Sequence, residues 1–438
     1  MIRHLFKLIW TQRRFNVWIV LELFVVSTLM WYIVDYLSVL AITASTPTGF
    51  NIENTYKLNV ETFAHLVPPE DFNIENTYKL NLALKQANEN GYVTYEEGSP
   101  EPYQNMKRIE ERLCRHPDIE GVSVGEWHYP YCRSNSNNSY WRDTLRVNTE
   151  ILTVTPDYFR VFRVSSADGG GPETLAQAMG SDYIITPAVE ERLFPGSSAI
   201  GGFIFDRDDS LNMRVAGVTT LMKRMEFSRP ACFLFMPLDE SDRVLRGEND
   251  LWSSTDICFR VKETAATVDF AERFAREMRP QLQVGNFYLS EITPLSDFRE
   301  EQLEWVYSPL RFRIGFSIFF LTNIFLGIIG TFWLRINKRR SEIGLRMAVG
   351  SSRRMVLWQM IGEGLVLLVI AFIPSLLVCL NLVQVDLLPE EYMDVTPLRI
   401  LLNTVITFTL LAVVVCLGTW YPARRSAKIE PAEALHYE

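Results

Sequence analysis

Three stretches of this chain carry no charged residue and are each long enough to cross a bilayer: Ile314 to Leu334 has 21 residues, Gly364 to Val385 has 22, and Ile400 to Ala423 has 24. At ~1.5 Å of rise per residue, about 20 helical residues cross ~30 Å of hydrocarbon, and there only a helix or a closed barrel satisfies its own backbone. Each stretch therefore predicts a spanning helix. A fourth apolar run, from Phe15 to about Leu40, is interrupted by Glu22 and Asp35. It is too long and too aromatic for a cleaved signal peptide, and it predicts an uncleaved first span.

Charge orients these spans. Residues 1–14 carry Arg3, Lys7, Arg13 and Arg14 without an acid, and 335–354 carries seven basic residues against Glu342 alone. The positive-inside rule places both in the cytoplasm. Four crossings return Arg424, Arg425 and Lys428 to the same side. The expected layout is a cytoplasmic amino terminus (1–14), a first span with its stalk (15–42), an exterior domain (43–313), a second span (314–334), a cytoplasmic loop (335–355), a third span (356–385), a short outer loop (386–399), a fourth span (400–421) and a cytoplasmic tail (422–438).

Within 43–313, 28 Lys and Arg face 41 Asp and Glu, a net charge of −13. Nucleic acid needs a basic footprint, so it is excluded as a partner. The strand and helix signals are mixed, which makes the expected fold class an α+β membrane protein: four transmembrane helices with a large mixed domain between the first and second. PYQNMKRIEERLC reads as an amphipathic helix with Met106, Ile109 and Leu113 on one face, followed by a break at His116-Pro117 and a short strand from Val122 to Val124. TPDYFRVFRV predicts a turn capped by Thr155. SDYIITPAVEERLF predicts a strand then a helix, GGFIFDRDDSLNMRVAGV a hairpin, and ACFLFMP, ICFRVK and NFYLSEI three strands, with a helix from Ala266 to Met278. SNSNNS (134–139) reads as a mobile loop. FNIENTYKLN occurs twice, at 50–59 and 72–81. Two copies are too few for a solenoid, so a local duplication is the simplest reading, and no function attaches to it.

Enzyme signatures are sparse. No GxxxxGK[ST] occurs, so these residues cannot cradle nucleotide phosphates in the P-loop manner, and no HExxH occurs. The five histidines are scattered, and Asp206, Asp208 and Asp209 fall in a turn, where aspartate serves the backbone. No catalytic residue and no metal ligand is assigned. Of the six cysteines, Cys379 and Cys416 lie inside spans; Cys114, Cys132, Cys232 and Cys258 lie in the exterior domain, where three pairings are open.

The segment between the second and third spans, RRSEIGLRMAVGSSRR (339–354), carries organised signals. Ser341 can cap a helix with Glu342 in its first turn, Gly350 is placed to end it, and Ser351 or Ser352 can start the next helix. The product is a rod of about two turns, ~13 Å long, tied to two spans. Two intramembrane acids, Glu22 and Glu363, each lie roughly 12 to 14 Å along their helices from the nearest basic edge. Pairing with a polar group of a neighbouring span outweighs proton coupling as their reading.

SEIGLRMAVGSSRRMV followed by Glu363, and the tail YPARRSAKIEPAEALHYE (421–438), resemble the MacB/FtsX-type permeases of ABC transporters. VTPDYFRVF, IITPAVEERLFPGSSAIGG and MRVAGVTTLMKRMEFSRP resemble that family's periplasmic core domain, so the resemblance covers the chain from about residue 100 onward. Met347 departs from it where a basic residue is common, and the duplicated decapeptide matches no family feature. MacB itself carries a fused ATPase before its first span, whereas 14 residues stand there in this sequence, which is similar to unfused permeases.

The resemblance implies a dimeric permease subunit of the bacterial inner membrane, both termini cytoplasmic, binding no cofactor itself and using ATP and Mg through an ABC ATPase subunit. Glu342, Gly344, Arg346, Gly350, Arg353 and Arg354 carry over as the ATPase-coupling loop. Pro422, Arg424, Arg425, Pro431, Ala434 and Leu435 carry over as the carboxyl-terminal signature. A second permease copy or homologue, the lipid bilayer and a periplasmic or outer-membrane protein are its implied partners; mechanotransmission for export or efflux is its implied role. A lipoprotein-release or cell-division permease is the alternative within the family, and a ligand-sensing receptor the alternative from another class.

Overall fold

The computed structural model describes residues 13–62, 100–206, 212–248, 255–285, 287–338, 345, 349–385 and 392–426. The chain divides into two compact units, Thr46–Glu304 and Met1–Ser45 with Trp305–Glu438.

The first unit is built on a ten-stranded sheet of order β10-β1-β9-β2-β4-β3-β6-β7-β5-β8. Its strands are β1 (Thr55–Thr62), β2 (Ile119–Glu126), β3 (Ser136–Arg142), β4 (Leu145–Val154), β5 (Tyr183–Ile185), β6 (Phe203–Phe205), β7 (Asn212–Val218), β8 (Phe233–Pro237), β9 (Thr255–Val261) and β10 (Phe287–Pro294). A parallel pairing of β4 with β8 closes the last six strands into a ring, leaving β10-β1-β9-β2 as an open wing. Alternation along the wing decides which side chains meet. Tyr56, Leu58, Val122, Val124, Ile257 and Phe259 point to one face, where Met106, Ile109 and Leu113 of α2 (Glu101–Cys114) and Phe270, Phe274 and Met278 of α7 (Phe270–Met278) complete a core. The other face meets α3 (Asp157–Val161), whose Phe159, with Phe162 just beyond it, shares a core with Leu175 and Met179 of α4 (Pro172–Met179), a helix that packs on β5 and β7. Helices α5 (Pro187–Leu193) and α6 (Glu240–Glu248) finish the unit.

Three local expectations are corrected. SNSNNS is no loop: Ser136 to Ser139 begin β3, because the neighbouring β4 supplies a full antiparallel ladder from Ser136↔Ile151 to Arg142↔Leu145. Polar residues suit a strand whose outer face is solvated. Thr155 caps no helix; its Oγ1 accepts from Val124 N at 3.2 Å, and α3 begins after Pro156 without a side-chain cap. The helix expected from Ala266 starts at Phe270, since Lys262 to Asp269 form turns held by bonds such as Ala265 N to Lys262 O.

The second unit holds four helices long and apolar enough to cross a membrane: α1 (Arg13–Ala44), α8 (Leu295–Lys338), α9 (Arg353–Gln384) and α10 (Pro397–Ser426). The first turns of α8 belong to the other unit, so the helix begins 19 residues before the uncharged stretch and carries Pro309 inside it. Helix α1 runs parallel to α9, touching it at Thr28 and Ser375, whose hydroxyls lie 3.0 Å apart, and antiparallel to α10, touching it where Trp31 Nε1 donates to Thr404 Oγ1 at 3.2 Å. The packed centre is Ile19, Leu23, Val26, Ile324, Ile328, Leu367, Leu368, Leu411 and Val415. Three glycines let backbones approach. A Cβ on Gly327 would lie 2.6 Å from Glu22 Oε1, on Gly364 2.9 Å from Val415 Cγ1, and on Gly418 2.8 Å from Ile328 Cγ2. Small residues at crossings are what a bundle uses where lipid removes the hydrophobic drive between helices.

Candidate functional site

The antiparallel arrangement brings the start of α1, the end of α8, the start of α9 and the end of α10 to one end of the four-helix unit. Val356 and Met360 of α9 pack there on Ala423 of α10. Local chemistry explains how the chain turns between α8 and α9. Val349 N donates to Leu345 O at 3.0 Å, one helical turn, and Gly350 follows with φ +107°, a left-handed backbone that a side chain would strain. Ser352 then caps α9, its Oγ accepting from Met355 N at 3.2 Å.

The exposed surface at this end is apolar and basic together. Leu345 is 56% exposed, Val349 81%, Met355 61% and Trp358 63%, and Arg353 and Arg354 are exposed beside them. Arg424 lies over the Trp420 ring at 5.1 Å. Of the coupling-loop residues, Gly350, Arg353 and Arg354 are placed at this end; Glu342, Gly344 and Arg346 lie outside the described residues. Pro422 and Arg424 stand in the last turns of α10, the Arg425 side chain lies outside the description, and so do Pro431, Ala434 and Leu435.

The two acids differ. Glu363 is buried and accepts from Gln359 Nε2, one turn back, at 3.5 Å. Glu22 is half-buried and lies against the bare backbone of Gly327.

Sequence reasoning missed a stronger constellation at the opposite end of the unit. Arg399 Nε and Nη2 donate to Asp35 Oδ1 and Oδ2 at 2.9 and 2.6 Å, and both side chains are almost wholly buried. Asn403 donates to the same carboxylate, Ser38 donates to Asn403 Oδ1 at 2.6 Å, and Arg399 Nη1 caps Met393 O at 2.5 Å. Arg313 of α8 lies 3.4 Å from the Tyr36 ring centroid. The signal was available: one acid near the end of the first span and one base at the start of the fourth, each needing a partner.

The exterior unit contains an open groove of about 540 Å³ beside Phe50, Ile52, Tyr56, Tyr131 and Arg299. There Glu226 Oε1 accepts from Tyr131 at 3.0 Å and from Arg299 at 2.5 Å. His128 is buried with its ring on Gly125, and burial and the Lys57 ammonium push its pKa down to about 3. GVSVG (121–125) has the spacing of a nucleophile elbow. It lies in mid-strand in β2 with Ser123 wholly buried, so it forms no elbow. All six cysteines are unpaired thiols.

Two family models match. The MacB-like periplasmic core domain matches residues 41–277, and the FtsX-like permease C-terminal matches residues 314–431. The chain is 24% identical over 298 residues to "Macrolide export ATP-binding/permease protein MacB 1" of Yersinia pestis bv. Antiqua (strain Antiqua), covering 67% of this chain and 44% of that one. It is 24% identical over 343 residues to "Macrolide export ATP-binding/permease protein MacB" of Escherichia coli (strain K12), covering 75% and 50%. The chain thus spans about half the length of the curated relatives it matches. Among solved structures, the periplasmic region of MacB from Actinobacillus actinomycetemcomitans aligns with a TM-score of 0.31 at 11% identity, covering 58% of this chain and 94% of that one.

Proposed function

Because this chain belongs to the family of permeases that join a MacB-like periplasmic core domain to an FtsX-like permease carboxyl-terminal region, we propose that it is the membrane subunit of an ABC transporter, working as a dimer in a bacterial inner membrane. It takes its energy from a separate ATPase docked at the basic end of the four-helix unit. The single observation that carries this reading is the surface at that end: exposed Leu345 and Val349 on one helical turn, with Arg353 and Arg354 following. Exposed apolar side chains rimmed by charge are the mark of a docking surface.

ATP and Mg belong to the partner in this reading, and this chain does no bond-breaking chemistry. Its own residues receive motion. The turn at Gly350 and the capped start of α9 make the inner end stiff, so displacement of the docked rod moves α9 and, through Thr28–Ser375 and the leucine-rich centre, α1. Helices α1 and α8 continue in sequence into the exterior domain, which handles a periplasmic substrate for export or efflux. Copurification from native membranes should bring down a P-loop ATPase. Arg346→Glu and Gly350→Pro should uncouple its hydrolysis from transport; full ATP-dependent activity in both variants would remove the docking role.

A further inference from the structure

Two arginines stand at one end of the four-helix unit, each just before an uncharged stretch: Arg313 of α8 precedes 314–334, and Arg399 of α10 precedes 400–423. They touch neighbouring residues of α1, Tyr36 and Asp35. Their surroundings differ. Arg399 is 3% exposed, paired bidentately with Asp35, and donates to Met393 O. The Cζ of Arg313 lies 3.4 Å from the Tyr36 ring centroid and 5.8 Å from that of Tyr32, one helical turn back, and its Nη1 is buried without a hydrogen-bond partner. Among the described residues no carboxylate pairs with it: Asp35 is spent on Arg399 and Asn403, and α8 carries no acid from Trp305 to Lys338. A cation at the edge of hydrocarbon ordinarily stretches its stem until the head reaches water. Arg313 instead folds its head against α1, where two phenol rings return only part of the lost hydration. Around it α8 presents bare apolar surface, with Phe312 68%, Ile314 42% and Phe316 57% exposed.

We propose that Arg313, held on Tyr32 and Tyr36, binds the phosphate of an anionic phospholipid whose acyl chains run along the exposed face at Phe312 and Phe316. The inference rests on the reading of the four long helices as membrane spans. Level, shape and charge each support it. The end of an uncharged stretch lies where hydrocarbon gives way to headgroups, which is the depth of lipid phosphates. A guanidinium stays charged and meets a phosphate through two parallel hydrogen bonds, and the tyrosine shelf holds this one in place beforehand. A cation with no internal counter-charge favours a lipid of net negative charge over a zwitterionic one, whose ammonium cancels the attraction. The phosphate thus does for Arg313 from outside what Asp35 does for Arg399 from inside. Once bound, it fixes Arg313 of α8 on the Tyr32–Tyr36 turn of α1, tying together the two helices whose sequences lead to the exterior unit.

The test titrates the full chain, purified and delipidated in detergent, with phosphatidylglycerol, phosphatidylcholine or inorganic phosphate. Native mass spectrometry reads bound lipid, and the melting temperature reads stabilisation. Phosphatidylglycerol should bind about 10-fold more tightly than phosphatidylcholine and raise the melting temperature, and Arg313→Gln should erase that preference by removing the charge-assisted bonds. Inorganic phosphate at the same concentration should do neither. Arg313→Lys keeps the charge without the fork and Tyr36→Leu removes the shelf, so each should weaken phosphatidylglycerol several-fold, whereas Tyr36→Phe keeps the ring and should bind as the unaltered chain does. Equal affinity for the two lipids, unaltered binding in both Arg313→Lys and Tyr36→Leu, or equal stabilisation by inorganic phosphate would each overturn the proposal. Alkaline extraction of membranes separates it from the reading beneath it: release of the chain by alkali removes the spans themselves, whereas a chain that stays in the membrane yet shows no preference for phosphatidylglycerol removes the lipid site alone.

Discussion

Two deeply buried arginines show how differently the two units hold charge. Arg260 in the exterior domain is 2% exposed and spends its donors on backbone carbonyls, with burial pushing its pKa down to about 10. Arg399 in the four-helix unit is 3% exposed and is paired bidentately with Asp35. In a sheet domain, turns and strand ends leave carbonyls free to accept. In a spanning helix nearly every carbonyl is already bonded within the helix, so a buried cation needs a counter-charge. The cores follow the same divide: aromatic clusters such as Tyr158, Phe159, Phe162 and Phe235 in one unit, and glycine crossings with aliphatic packing in the other.

The largest expected effect is at Asp35. Asp35→Ala or Arg399→Ala leaves a buried unpaired charge and should cost about 3–5 kcal/mol, read as lost yield and lowered melting in detergent, while the paired change to leucines should recover much of it. Equal tolerance of the single and paired changes would break the contrast with Arg260. Next comes Gly418→Val, which drives a side chain into Ile328 and should cost about 1–3 kcal/mol in the four-helix unit alone; unfolding of the exterior domain at the same midpoint would contradict the separateness of the two cores.

A comparable effect belongs to acid. His128 is held neutral in the folded domain, with its pKa depressed to about 3 against 6.5 when unfolded. Stability is therefore complete above pH 6.5 and falls as pH drops, by about 2 kcal/mol at pH 5. His128→Gln should remove that loss, leaving the opposite contribution of Asp256, whose carboxyl burial pushes up; denaturant titrations at both pH values would measure it. The smallest change is expected at Glu173, which binds Arg160 on the surface at 2.7 Å. Glu173→Gln should leave the melting midpoint in place.

Three of the spans were legible because absence of charge over 21 or more residues admits few alternatives. Helix α2 was legible from Met106, Ile109 and Leu113, whose spacing is helical and which are all buried. Strand β3 was not, because SNSNNS has neither alternation nor apolar residues and becomes a strand only through β4. Strand β1 carried a period of two in Tyr56, Leu58 and Val60. At one end of the four-helix unit, Gly350 and Ser352 announced the turn by residue type; at the opposite end the Asp35–Arg399 pair joins residues 364 apart, and no local pattern encodes such a partnership.

Photocross-linking from a benzophenone side chain at position 349, 81% exposed in this structure, tests the docking claim most directly. In intact cells the account predicts capture of a P-loop ATPase, lost when the same probe sits at position 145 of the exterior domain. Capture at 349 of periplasmic proteins or lipid, with no ATPase, would contradict it.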